Sequence, residues 1–174
     1  MSRIFQINRS VLFASLVAIL VLTVGVRFGI QASPAAQQVP QDTLITLERT
    51  VCYGTCPSYK LTISADGAVV FEGRRFVKKI GTVQSTISQE QLRKLIDRFE
   101  KINYFQLRSR YEQPTDGCTE LVTDHPSANT SIRINGKSKS VRHYYGCTGI
   151  EVLDELTKLE QAIDDAVDTA QWIR

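Results

Sequence analysis

Four cysteines and two histidines are the side chains whose types and spacing allow chemistry. Cys52-Tyr-Gly-Thr-Cys56 is followed at once by Pro57. In an oxidising compartment such a pair forms a local disulfide across a Gly-containing turn. In a reducing one it reads as a metal or redox site. A redox-active pair normally sits at a helix N-terminus, where the dipole lowers a thiol pKa. Cys52 and Cys56 fall between two strand-like stretches, which favours a structural role. Cys118 and Cys147 flank a second set of strand-like segments. A bridge between them would close a loop of about 30 residues and stabilise the fold by about 3–4 kcal/mol. The expected pairing is therefore 52–56 and 118–147, although four cysteines permit three connectivities and the sequence leaves the choice open. His143 precedes Cys147 at a spacing that can chelate, so a Cys3His zinc set with Cys52 and Cys56 is the rival reading. An oxidising compartment opposes it. Asp124-His125-Pro126 reads either as an acid–base pair or as a turn closed by the Asp side chain. The candidate functional turn thus comprises Tyr53, Gly54, Pro57 and Tyr59, with Asp124, His125 and His143. The chain has no Gly-x-Ser-x-Gly, no phosphate loop and no His-Glu-x-x-His. It is assigned no catalytic residue, no metal and no cofactor, and the reading leans away from an enzyme.

The compartment decides between these chemistries, and the N-terminus decides the compartment. Val11 to Val26 carries no charge and only Ser15 and Thr23 as polar residues. The run lies between a signal-peptide apolar region and a membrane span. Arg3 and Arg9 precede it, and no acidic residue occurs before Asp42. Positive charge stays cytoplasmic, so residues 1–30 are expected to form a single-pass signal anchor with the following domain outside the cell membrane. The domain would be secreted or periplasmic if the segment is cleaved. Residues 31–42 are polar, small and Pro-containing, and read as a flexible linker. Residues 43–174 form one extracytoplasmic domain.

Charge narrows the partners. The sequence has 21 Lys+Arg against 18 Asp+Glu. Three of the basic residues, Arg3, Arg9 and Arg27, belong to the N-terminal segment, so the exported part is neutral and lacks the electrostatics of a nucleic-acid binder. The stretch from Arg74 to Arg142 is nevertheless basic, with 14 positive and 7 negative residues. From Cys147 onward the balance reverses, with 7 acidic and 2 basic. These read as complementary solvated faces, or as a basic patch facing anionic lipid or an anionic polymer of the envelope.

Periodicity supplies the scaffold. Ile45, Leu47 and Val51 alternate with polar neighbours, as do Tyr59, Leu61 and Ile63, and Asp66-Gly67 reads as a hairpin turn into Val69 and Phe71. An extended stretch is expected over 75–83. Ser88-Gln-Glu-Gln91 is a capping box, followed by Leu92, Leu95, Ile96, Phe99 and Ile102 on one helical face. Residues 106–118 read as a loop and 119–123 as a short strand. Asn135-Gly136 is a type I′ hairpin signal between two further strands. Thr148-Gly-Ile-Glu151 reads as a second capping box, opening a helix with Leu153, Leu156, Leu159, Ile163 and Val167 on its apolar stripe. The expected fold is α+β: an antiparallel sheet of six or seven strands in two hairpin or meander sets, covered on one face by two amphipathic helices and preceded by the N-terminal helix.

Gly54-Thr-Cys56-Pro57-Ser-Tyr59, the Asp66-Gly67 hairpin and Tyr144-Tyr-Gly146 resemble a bacterial family known as domain of unknown function 6438. The likeness covers about Leu44 to Trp172 and includes Cys52, the Thr123-Asp124-x-Pro126 turn and the C-terminal helix. It implies a small exported or envelope-associated domain and assigns no activity. The family pattern does not require Cys118 or Cys147, so their bridge would be a feature of a subgroup.

Overall fold

The computed structural model describes residues 38–174, so the expected N-terminal helix lies outside the described residues. Alternation of apolar and polar residues sets the sheet. Strands β1 (Leu44–Arg49), β2 (Ser58–Ser64), β3 (Ala68–Arg75) and β4 (Gly81–Thr86) form an antiparallel meander. The hairpin of β7 (Ser127–Ile134) and β8 (Lys137–Tyr144) joins it, with β7 beside β1. A two-residue strand, β5 (Arg110–Tyr111), lies parallel to β8 and completes the order β4-β3-β2-β1-β7-β8-β5. The sheet is thus mixed rather than purely antiparallel, and β5 arises within the segment read as a loop. Two short strands, β6 (Glu120–Leu121) and β9 (Cys147–Thr148), make a separate ribbon.

Helices α1 (Gln89–Lys101) and α2 (Val152–Val167) contribute Leu92, Leu95, Phe99, Leu156, Leu159 and Ile163 to a core shared with Ile45, Leu47, Leu61, Ile63, Phe71, Ile132 and Val141. Each such side chain, once buried, contributes roughly 1.5–3 kcal/mol. The opposite sheet face is polar: Thr46 bonds Ser131 at 2.6 Å, Glu48 pairs with Arg74, and Arg142 pairs with Glu112 at 2.6 Å. One buried and one solvated face is the ordinary arrangement of an antiparallel sheet. A short helix, α3 (Ala170–Ile173), follows α2 and lays Trp172 on Phe71, ring centroids 4.9 Å apart.

Local signals account for most boundaries. Ser88 caps α1, and Gln91 returns the bond to complete the capping box. Asn135 and Gly136 both take positive φ, 52° and 72°, as a type I′ turn requires. Asp42 accepts both of their N–H groups, at 3.0 and 2.7 Å; chiefly the Gly136 bond holds its carboxyl below the usual range. Val39 is buried, so the last residues of the stretch read as a linker pack on the domain.

Two further expectations fail. No capping box opens α2: Glu151 occupies the N-cap with helical backbone and no side-chain cap bond. Thr148 is held extended instead, because Cys147 is bridged to Cys118 and the Thr119 N–H bonds the Thr148 carbonyl at 3.0 Å. The stretch 75–83 is not continuous. It breaks at 76–80 between β3 and β4, where Phe76 takes φ 55°, a left-handed backbone that costs a non-glycine residue about 1–3 kcal/mol.

Candidate functional site

Sheet register brings the polar groups together. Arg49 lies opposite Tyr59 on one side and Ala128 on the other, and Ala128 lies opposite His143. Tyr59, Arg49, Ala128 and His143 therefore form one row across the sheet. Arg49 continues the inward positions of Ile45 and Leu47, and His143 continues that of Val141, so this row faces the helices. Ala128 is the small residue in the row, between the arginine and the histidine.

Two acids of α2 descend onto the row. Glu160 and Asp164 are one turn apart and both buried, Glu160 completely at 0% exposure. Asp164 accepts from Arg49 twice at Oδ2, Nη2 at 2.7 Å and Nε at 2.9 Å. At Oδ1 it accepts from the Tyr59 hydroxyl at 2.7 Å and from Thr169 Oγ1 at 3.0 Å. Glu160 accepts from His143 Nδ1 at 3.0 Å and from the Tyr145 hydroxyl at 2.5 Å. That hydroxyl in turn accepts from Arg49 Nη1 at 2.6 Å, which joins the two halves into one chain of bonds. The Tyr145 ring also meets the His143 ring edge-on, at 4.6 Å between centroids.

The electrostatics follow from burial. Desolvation alone would lower the Arg49 pKa, but Asp164, then Tyr145 and Tyr59, outweigh it and hold the guanidinium above its ordinary value. Burial, reinforced by Asp164, pushes the Tyr59 hydroxyl up, and burial with Glu160 does the same to Tyr145. Tyr104, buried against Thr130, is raised chiefly by burial as well. A buried carboxylate costs several kcal/mol to desolvate, and Asp164 offsets this by filling both oxygens with donors.

This network floors an open cleft of about 520 Å³. One wall is the end of α2 and α3, with Gln161, Asp165, Asp168, Thr169 and Ile173. The other is the segment Cys56-Pro57 together with Pro126 and Ser127. Cys52 is bridged to Cys56 with Cα atoms 5.6 Å apart, and Cys118 to Cys147 at 5.2 Å. The pairing is the expected one. It occupies every sulfur that a Cys3His zinc set would need, and His143 is committed to Glu160.

The residues read as one functional turn separate. Cys56, Pro57 and Tyr59 reach the cleft. Tyr53 does not line the cleft: it is 89% exposed, with its N–H bonded to the Asp124 carbonyl at 3.2 Å, so the two loops are neighbours. Gly54 lies between them, its N–H on the Cys52 carbonyl at 2.9 Å. His143 does not line the cleft; it is buried behind it, bonded to Glu160. Asp124 and His125 do not make an acid–base pair: the Asp124 carboxylate accepts from Thr123 Oγ1, and His125 is exposed. Arg49, Glu160 and Asp164 escape the motif reading. Their signal is charge at positions where strand or helix periodicity points inward.

This α+β domain, with its buried ionic floor and disulfide-braced cleft, defines a class by architecture. The chain belongs to the family described as Domain of unknown function (DUF6438), whose model matches residues 43–167. No curated protein matches the chain.

The tyrosines supply a test. A raised folded-state pKa means that the protonated hydroxyl stabilises the fold at every pH below the unfolded value, about 10. That contribution is lost as pH climbs from there toward the folded value. Stability is expected to fall above about pH 10, and absorbance is expected to show Tyr59, Tyr104 and Tyr145 ionising only as the fold opens. Ionisation of all six tyrosines in a still-folded protein would contradict the network as described.

Proposed function

We propose that the protein is a membrane-anchored, extracytoplasmic binding module of the cell envelope, with no catalysis of its own, and that the cleft beside Arg49 and Asp164 receives a segment of an envelope protein. One observation carries this reading: the reactive side chains under the cleft are engaged with one another. Asp164 and Glu160 each have both oxygens occupied, and the Tyr145 hydroxyl already donates and accepts. A nucleophile or general base needs a free lone pair aimed at the substrate. What faces the open space instead is a mixture suited to recognition: Pro57, Pro126 and Ile173 as apolar contacts, with Gln161, Asp165 and Asp168 as polar ones. The expected anchor at residues 1–30 would hold the cleft at the outer face of the membrane.

Filling the cleft tests this. Ala170 is exposed on the cleft wall, so Ala170→Trp should block the space and leave the core intact. Saturable capture of envelope protein by the full chain is expected to fall at least about tenfold, a loss of about 1.4 kcal/mol. Equal capture by both proteins, or turnover of a substrate by the wild type, would overturn the reading.

A second reading is thiol redox chemistry at Cys52–Cys56, favoured by Cys56 lining the cleft with both cysteines only half-buried. Neither sits at a helix N-terminus, the usual device for lowering a thiol pKa. The reduction potential decides it: a structural bridge is expected below about −300 mV, whereas a value in the oxidoreductase range with thiol turnover would favour the redox enzyme.

A further inference from the structure

Strands β1 and β3 run in the same direction, and both end at one edge of the fold. Tyr59 pairs with Arg49 and with Gly73, and Ser58 pairs with Arg75. The loop after β1, which carries Val51 and Tyr53, is therefore next to the loop after β3. Asp42 lies at the other end, bonded to the 135–136 turn. The end remote from residue 42 thus collects two exposed loops.

The second of these reads Arg74-Arg-Phe-Val-Lys-Lys-Ile80. Two of its three apolar side chains are turned outward, Phe76 at 43% exposure and Ile80 at 67%, while Val77 packs against the core. The left-handed backbone at Phe76 carries its ring to the tip, and the Arg75 guanidinium lies 5.2 Å from the ring centroid. Of the four cations, only Arg74 has an acidic partner, Glu48, among the described residues. Arg75, Lys78 and Lys79 are exposed. The loop is also fixed in place, because the Lys79 N–H bonds the Trp172 carbonyl at 3.0 Å and Gly73 leaves no room for a side chain against the Lys79 carbonyl. Across the sheet end, Val51 is 42% exposed and Tyr53 stands clear of the surface.

We propose that this end of the domain docks on an anionic lipid bilayer, with Phe76 and Ile80 entering the headgroup region and Arg75, Lys78 and Lys79 meeting the lipid phosphates. Exposed apolar residues that touch no partner favour an interface, and an aromatic ring suits the boundary between headgroup and acyl chain. Unpaired cations around them supply the charge complementarity that selects an acidic surface. A soluble anionic polymer would satisfy the cations and leave Phe76 and Ile80 in water, so the apolar pair favours the bilayer. The proposal does not depend on what the cleft binds.

The test uses the full chain with its expected anchor already inserted in phosphatidylcholine nanodiscs, held on beads through the nanodisc and offered separate protein-free vesicles. Vesicles of phosphatidylglycerol and phosphatidylcholine in equal parts should be captured, and vesicles of phosphatidylcholine alone should be captured far less. Replacing Arg75, Lys78 and Lys79 together by Gln should weaken capture roughly a hundredfold, and added salt should do likewise. Phe76→Asn keeps a residue that tolerates the left-handed backbone and should weaken capture several-fold with charge unchanged. All of these positions are exposed and Asn suits the left-handed backbone at 76, so no variant should unfold below the wild type. Capture that ignores lipid charge or survives the triple substitution would overturn the proposal. So would soluble polyphosphate binding as tightly as vesicles with Phe76→Asn neutral, since the partner would then be a polymer.

Discussion

Asp164 imposes the constraint on which the rest of the domain depends. It is a buried carboxylate in the last turn of α2, a turn that also holds Asp165, is followed by Asp168 and contains no basic residue. The helix dipole disfavours negative charge at that end. The position is tolerable only because Arg49 is driven inward from β1, where a sheet of this kind would ordinarily bury a third apolar residue after Ile45 and Leu47. The arginine therefore fixes the helix end to the centre of the sheet. Its second branch, through Tyr145 to Glu160 and His143, fixes the preceding turn of the same helix two strands further along.

The cleft is a consequence of that anchoring. Side chains that bind one another across the helix–sheet junction hold the end of α2 above the strand ends, and the loops beyond β1 and before β7 become the facing wall. The disulfides act at its margins. Cys52–Cys56 shapes the loop that borders the cleft. Cys118–Cys147 secures the β6–β9 ribbon from which α2 departs, so the helix is positioned at its start by covalent chemistry and at its end by charge.

The sequence made the framework legible and the floor much less so. The Asn135-Gly136 turn, the α1 capping box and the apolar stripes of both helices follow from local rules that act within a few residues; the cysteine pairing was the expected one of three that the sequence allowed. The second capping box failed because Thr148 obeys a longer-range demand, the bridge at Cys147 and the ribbon with β6. The parallel strand β5 was hidden because two residues, Arg110 and Tyr111, carry no periodicity. His143 attracted notice for the wrong partner: its spacing to Cys147 suggested metal, whereas its bond runs to Glu160 on another element. The network residues did leave a trace. Arg49, His143 and Tyr145 fall in register with inward-facing residues, and Glu160 and Asp164 border the apolar stripe of α2. Charge at such positions signals a buried pair, but periodicity alone cannot say which charges meet.

The central claim is that Arg49 and Asp164 act as one unit. A double-mutant cycle tests it most directly, with urea unfolding of Arg49→Met, Asp164→Leu and the double variant. Each single change strands a buried charge and should cost about 3–5 kcal/mol, while the double variant should recover much of that loss. Two small, additive costs would mean that the helix is held by the apolar core alone, and that the ionic floor does not position the cleft.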